Sequence, residues 1–424
     1  MRRSLTEMIS SCVVAGLMIM APVLLPAQAP GVKSTANIAK AGMDAEQLAK
    51  IPARMKEFVD QGTIAGAVTL VARHGVVASL EAVGYQDLET KKPMRPNTVF
   101  RIESMTKPVT AVGIMILLEE GRLLLTDPVE KHVPEFRGLM VVDKREGEKV
   151  LSTKKPSRPI TIQDLLTHAS GMASDATPSV QREPQRTLAE RVSIIAREPL
   201  EFEPGTKFLY ANRGFATLGR IIEVVSNQPY EAFIEQRILR RLGMKDSFFF
   251  PPPETYNRIA SVYDLKDGRL TKSENPLTPD WQKPGAGEAY RKRMPFAWPP
   301  AGMFSTAPDM LAFYQMMLNG GTYNGARILS RASVETMTAV QTGELPTLDD
   351  GAGWGLGWEV VRKPLGPAAL NSIGSFGHGG GRGTRGLVDP KRDLVSLFMT
   401  QRVLPTRDDV GALFRVMAAA AILD

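Results

Sequence analysis

The stretch Arg101-Ile102-Glu103-Ser104-Met105-Thr106-Lys107-Pro108 sets a serine and a lysine three residues apart at the head of an apolar run. Residues i and i+3 share one face of a helix, so a helix starting here presents the Ser104 hydroxyl and the Lys107 amine together. The free backbone N–H groups of a helix N-terminus, with the positive end of its dipole, suit a developing oxyanion. A lysine beside the hydroxyl can lose its charge when buried, or hold a neighbouring phenolate charged. That chemistry is acyl transfer. The same tetrapeptide also fits a plain helix cap followed by a snorkelling lysine, and a motif match is a hypothesis until other residues support it.

Two later stretches offer that support. Phe208-Leu209-Tyr210-Ala211-Asn212 follows a Pro204-Gly205 turn. Tyr210 is a poor base at its ordinary pKa, but beside a lysine ammonium it can exist partly as phenolate and accept a serine proton. Asn212 can hydrogen-bond the lysine or a substrate amide. The alternative for Tyr210 is a core tyrosine whose hydroxyl is an ordinary donor. The second stretch is the glycine-rich run His378-Gly379-Gly380-Gly381-Arg382-Gly383-Thr384-Arg385-Gly386. Its glycines allow close approach of a ligand to the backbone, and a free N–H at Gly381 can complete an oxyanion hole with that of Ser104.

Rival chemistries fail on context. Gly381 to Gly386 fits G-x-G-x-x-G, but a strand rather than a helix follows, which argues against a dinucleotide site. His378-Gly379-Gly380-Gly381 resembles the lipase oxyanion motif, yet the chain has no G-x-S-x-G nucleophile elbow. His168 stands alone after an apolar helix and reads as a structural hydrogen-bonder rather than a general base. Four separated histidines and one cysteine make no zinc site, so no metal or cofactor is expected.

The elements that must position these residues are legible from periodicity and caps. Asp44 to Gln61 has helical spacing with Asp44 as N-cap, and Ala65–Arg73 with Val76–Tyr85 read as a hairpin turning at His74-Gly75. Val109 to Leu118 is a buried helix closed by Gly121. Leu123 to Phe136 is a turn into a short helix, and residues 137–160 are a basic, exposed excursion. Thr161 and Asp164 form a capping-box start. Residues 173–186 are loop-like. Helices are expected over Leu188–Arg197, Gly214–Ser226, Tyr230–Leu242, Thr306–Leu318 and Asp408–Leu423. Residues 250–300 read as a long irregular covering segment, and Trp354–Arg362, Thr384–Val388 and Leu394–Thr400 as strands. Strands at both ends with helices between predict an α+β fold: one antiparallel sheet built from both ends of the chain, flanked by helices, with a mostly helical insert as a second lobe.

The 424 residues carry a net charge of +7, with basic residues scattered, and nothing resembles a nucleic-acid-binding module. Arg2-Arg3, the apolar run Met8–Leu25 and Ala27-Gln28-Ala29 have the form of an export signal over residues 1–29, with an uncleaved membrane anchor as the alternative. Cys12, the single cysteine, lies within it. Residues 30–43, small and polar, read as a linker.

Taken in order, Ser104-Met105-Thr106-Lys107, Tyr210-Ala211-Asn212 and His378-Gly379-Gly380 resemble the three motifs of the serine β-lactamase and penicillin-recognising superfamily, in its class C-like branch. Leu165-Leu166-Thr167-His168-Ala169-Ser170-Gly171-Met172, Pro300 to Thr306 and Trp354-Gly355-Leu356-Gly357-Trp358 are also similar to that branch. The resemblance implies one catalytic domain over 44–424 with its helical insert at about 103–350. It implies Ser104 as nucleophile, Lys107 and Tyr210 sharing the base role, Ser104 and Gly381 N–H groups as oxyanion hole, and Asn212, His378 and Gly380 lining the substrate. The third motif departs from the usual Lys-Thr-Gly, which turns the expectation towards small esters or neutral amides, as in family VIII carboxylesterases; Arg382 or Arg385 could replace the missing cation. A β-lactamase, a D-alanyl-D-alanine carboxypeptidase or a D-aminopeptidase is the alternative, and a non-catalytic cell-wall-binding module the third reading. The expected partner is a small-molecule ester, amide or peptide, with membrane contact only through an uncleaved N-terminus.

Overall fold

A computed structural model of the chain describes residues 35–174, 187–275, 277–403 and 409–424. The export signal or anchor, Cys12, the first part of the linker and most of the 173–186 loop lie outside the described residues. The compact unit is Val32–Asp424.

Strands β1 (Gly66–Arg73) and β2 (Val76–Asp87) form the expected hairpin, with His74 in the left-handed region at its turn. Next come β3 (Lys92–Pro93), β4 (Phe100–Arg101), β5 (Val141–Glu146), β6 (Lys149–Lys154), β7 (Tyr263–Lys266), β8 (Arg269–Lys272), β9 (Phe304–Ser305), β10 (Thr322–Tyr323) and β11 (Ala326–Arg327). The chain closes with β12 (Ala352–Trp354), β13 (Glu359–Val361), β14 (Phe376–Gly379), β15 (Arg385–Asp389) and β16 (Leu394–Met399). Eight strands make one antiparallel sheet in the order β12-β13-β14-β15-β16-β1-β2-β3. The first strand lies beside the last, Leu70 opposite Leu397 and Val68 opposite Met399. Both ends of the chain therefore build the sheet, as expected.

Every residue of β1 is buried, so its two faces feed two cores. Val68, Leu70 and Ala72 face the helical side with Phe100, Val109, Phe215 and Trp358. Ala67 and Val71 face the terminal helices Ala45–Asp60 and Asp409–Ala420 through Ile51, Met55, Phe58 and Val410. Asp44 caps the first of these helices by accepting from Glu46 and Gln47 N–H. Residues 35–43 are more than a linker: the helix Thr35–Lys40 lies there, and Ile38, Ala41 and Met43 are buried in the second core.

The central helix Thr106–Glu119 is buried at every position from Thr106 to Leu117, which explains why its sequence is apolar all round. It packs on the helices Asn212–Ser226 and Tyr230–Ile234. The capping box at Thr161 and Asp164 forms as read, and a second one joins Thr187 to Glu190.

Three readings are corrected. The basic excursion 137–160 contains the β5–β6 hairpin, invisible to alternation because its side chains are mostly exposed. Residues 250–300 are not simply irregular: they hold the β7–β8 hairpin and the helix Ala286–Arg293. Trp354–Arg362 is not one strand. The chain reverses between β12 and β13, where Gly357 has φ 80°.

Gly219 on the helix Asn212–Ser226 lets the Pro299 ring lie directly on the helix backbone; a Cβ there would overlap that ring. Alanine is favoured over glycine in a helix by about 1 kcal/mol, but overpacking against a rigid ring costs about 1–3 kcal/mol. Gly219→Ala should therefore lower stability, read as a reduced urea midpoint, and should also lower activity, because the displaced segment carries the Pro300 carbonyl, which accepts from Lys107 Nζ at 3.0 Å. A raised midpoint with full activity would contradict this packing.

Candidate active site

β4 pairs with β9, and Ile102 N–H donates to Met303 O at 3.0 Å, so the approach to Ser104 is fixed from one side. A single 3₁₀ turn, Glu103–Met105, then leads into the central helix. Ser104 thus sits just before the α-helix rather than within its first turn. Thr106 Oγ1 donates to Glu103 O at 2.6 Å and accepts from Met303 N–H at 3.2 Å, tying the turn to the β9 segment.

Lys107 has no exposed surface. Its Nζ lies 3.0 Å from Ser104 Oγ, 2.8 Å from Asn212 Oδ1 and 3.0 Å from Pro300 O. Three oxygens match the three N–H donors of an ammonium. In the neutral amine, Asn212 and Pro300 take two N–H groups, and the lone pair is left facing the Ser104 hydroxyl. The arrangement can therefore pass a proton between serine and lysine without moving either side chain.

Tyr210 lies in an irregular segment two residues before the helix Asn212–Ser226. His168 holds it on both sides: its carbonyl accepts from Leu209 N–H at 2.9 Å and its Nδ1 from Ala211 N–H at 3.0 Å. His168 takes a left-handed conformation, φ 57°, to do this. Its Nδ1 is an acceptor, so the proton sits on Nε2. Burial first, then the charge of Lys107, pushes its pKa well below the ordinary value and keeps it neutral. The imidazole lies 4.4 Å from the Tyr210 ring, and Lys107 Nζ lies 4.6 Å from the centre of that ring. Trp354 and His378 close the aromatic surround at 5.8 and 6.2 Å. The structure so brings Ser104, Lys107, Tyr210 and Asn212 together.

His378 occupies β14. Its Nδ1–H donates to Gly379 O at 2.7 Å, which leaves Nε2 as a buried acceptor without a hydrogen-bond partner among the described residues. Burial, with the charge of Lys107, lowers its pKa to about 3. The ring is uncharged at neutral pH. Arg382 does not replace the missing cation in the cleft, because its Nε is held 2.7 Å from Glu103 Oε1 and its side chain is buried. Arg385 lies in register with Gly379.

The glycines of this run mostly admit protein, not ligand. A Cβ on Gly377 would strike the Gly386 carbonyl, one on Gly380 the Ile102 carbonyl and Thr384 Oγ1, and one on Gly386 the Tyr314 ring. Gly381 alone of the run from Gly377 to Gly381 opens onto empty space and is exposed. Gly380, one residue before it, packs on Ile102, two residues before Ser104, and Thr384 Oγ1 donates to the same Ile102 O at 3.1 Å. This contact carries the Gly381 loop to the Ser104 turn. His168 is the structural hydrogen-bonder the sequence suggested, but three details escaped that reading: the Pro300 carbonyl, the identity of the His168 partners around Tyr210, and the Glu103 link to Arg382. Only the last involves opposite charges, and nothing local pairs residues 279 positions apart.

Comparison with known proteins places most of the chain in a family. Over 384 residues the chain is 32% identical to the protein Rv1367c of Mycobacterium tuberculosis, covering 85% of this chain and 91% of that one. It is 29% identical over 381 residues to esterase EstB of Burkholderia gladioli, covering 83% and 91%. The solved structure of EstCE1, described as a hydrolase with promiscuous acyltransferase activity, superposes with a TM-score of 0.74 over 92% of this chain and 100% of that one; at 23% identity this shows the fold alone. Residues 51–421 match the family model described as Beta-lactamase, and with these contacts and relatives in view the chain belongs to the Beta-lactamase family of serine hydrolases.

Proposed function

We propose that the protein is a carboxylesterase-like hydrolase that forms an acyl-enzyme on Ser104 from small esters or neutral amides. The observation that carries the reading is His378, an uncharged ring where the β-lactamase pattern has a lysine. Arg382 is engaged by Glu103, so it is not offered to a substrate carboxylate. The esterase name of one relative supports the same choice.

In the first step Ser104 Oγ attacks the carbonyl carbon while its proton passes to Lys107 Nζ, with Tyr210 proposed to share the base role. The oxyanion is received by the N–H groups of Ser104 and Gly381. The C–O bond to the leaving alkoxide then breaks, and the alkoxide takes the proton held by the base. A water attacks the acyl-enzyme by the same route, giving its proton to the base, and Ser104 recovers one as the acid departs.

Ser104→Ala should abolish hydrolysis of a p-nitrophenyl acyl ester, by at least about 10³-fold, and should remove labelling by a fluorophosphonate probe. Nitrocefin should be turned over far more slowly than the ester. Labelling that survives in the alanine variant, or nitrocefin as the better substrate, would count against the proposal.

His168→Phe keeps a ring against Tyr210 but leaves Ala211 N–H without its acceptor, a cost of about 1–3 kcal/mol. The expected result is a fall in kcat larger than the change in KM, since Tyr210 loses its register. Unaltered kcat in a folded variant would mean that the bracket does not set Tyr210.

The depressed histidine pKa values also fix a pH dependence. Below pH 6.5, the ordinary histidine value, the unfolded chain takes up a proton that folded His378 refuses until about pH 3. Stability should therefore be level above pH 6.5 and fall as pH drops through this window, by about 1.4 kcal/mol per pH unit for one such histidine. His168 acts in the same direction. His378→Asn should make the acid limb shallower in urea titrations between pH 4 and 8; an unchanged slope would show that His378 does not hold its neutral form there.

A further inference from the structure

The two groups assigned to the oxyanion come from distant parts of the chain, and a pair of residues next to them is joined by charge. Glu103 directly precedes Ser104, and Arg382 directly follows Gly381. Glu103 Oε1 lies 2.7 Å from Arg382 Nε and 3.1 Å from Arg101 Nε. The three side chains are nearly buried, with relative exposures of 15% for Glu103, 10% for Arg382 and 4% for Arg101.

Each partner is anchored elsewhere. Arg101 belongs to β4, and its Nη1 donates to Leu277 O at 2.5 Å. The Arg382 carbonyl accepts from Arg402 N–H at 3.0 Å, just beyond β16. Glu103 itself has φ 46°, a left-handed conformation that a non-glycine residue adopts at a cost. Its carbonyl is held by Thr106 Oγ1 at 2.6 Å. A glycine would reach this φ freely but would have no side chain to join the loop. Relaxing Glu103 to a right-handed φ would rotate the peptide that carries the Ser104 N–H.

We propose that Glu103, hydrogen-bonded by Arg382 and ion-paired with Arg101, is a positioning residue that sets the separation and direction of the Ser104 and Gly381 N–H groups. This rests on the acyl-enzyme reading above. The carboxylate touches no substrate; it acts through the two backbone donors. A donor misplaced by a fraction of an ångström loses transition-state stabilisation while leaving ground-state binding nearly intact. A purely structural ion pair would show its loss in the unfolding midpoint and not in the reacting carbonyl.

The test uses the full chain with Glu103→Gln, Arg382→Gln and the double variant, assayed on p-nitrophenyl butyrate. Each single variant should lose about 10- to 100-fold in kcat with KM within about twofold, and the double variant should be no worse than the poorer single. The infrared carbonyl band of the butyryl-enzyme should move to higher wavenumber in Glu103→Gln, because the oxygen is less polarised. Arg382→Lys, which keeps the charge, should recover part of the kcat. Losses that multiply in the double variant, or an acyl band and kcat unmoved in folded Glu103→Gln, overturn the proposal. If Glu103→Gln does not fold, Arg382→Gln gives the same two readouts with the same consequences. A wild type that forms no acyl-enzyme overturns the serine-hydrolase reading and the clamp together; an acyl-enzyme with an unmoved band overturns the clamp alone.

Discussion

A lysine without solvent is the constraint on which the site depends. An isolated ammonium in the interior is costly, and Lys107 is there because three oxygens meet it. Those oxygens belong to three segments: the turn before the central helix, the first residue of the helix Asn212–Ser226, and the proline pair at 299–300. Each segment must arrive with its oxygen aimed inward. The central helix can deliver Lys107 to that point only because the residues around it on every face are apolar and buried. Pro299 is held in turn by Thr110, whose Oγ1 donates to its carbonyl at 2.8 Å, and by the bare backbone at Gly219. The proline segment is therefore a first-order part of the lysine's environment although it contributes no catalytic side chain.

The sheet serves the same meeting point from the other direction. Because β16 lies beside β1, the last strands are carried into the middle of the molecule and β14 arrives at the Ser104 turn. The approach is close: Gly380 leaves no room for a Cβ between itself and the Ile102 carbonyl. Backbone contact, not side-chain bulk, sets how near the two halves of the site come. That explains why the run is glycine-rich and why so little of it is left for a ligand.

Much of this was legible because its signals are local. Asp44, Thr161 and Asp164 cap helices within four residues of themselves, the all-round apolar run announced a buried helix, and His74-Gly75 announced a hairpin turn. Ser104, Lys107 and Tyr210 stood out by residue type and by order along the chain. What was missed depends on partners far away or on atoms every residue has. A carbonyl such as that of Pro300 has no signature, and the left-handed φ of His168 and of Glu103 is not encoded by residue type. The β5–β6 hairpin was missed for a different reason: with nearly every side chain exposed, there is no buried face to impose alternation. The glycine run is a place of close approach, as read, but at Gly377, Gly380 and Gly386 what approaches is protein, and only Gly381 of these four is open.

Substrate class turns on the electrostatics of a few ångströms. In the third motif a lysine would place a full charge beside Tyr210 and Lys107, and a carboxylate on the substrate would then offset the repulsion between two ammonium groups. His378 removes that need. It is buried against Trp354 at 5.5 Å, feels the charge of Lys107, and has its Nδ1 proton committed to the Gly379 carbonyl. Charging it would require burying a second cation beside Lys107, which is the more costly outcome. With a neutral His378 in place of a charged side chain, an incoming carboxylate gains less at this position and still loses its hydration. An ester carbonyl, with no charge to desolvate, gains the same polarisation from the backbone donors and gives up little. On the proposed esterase reading, a neutral ring at this position favours uncharged acyl donors while the Ser104–Lys107 contact stays intact.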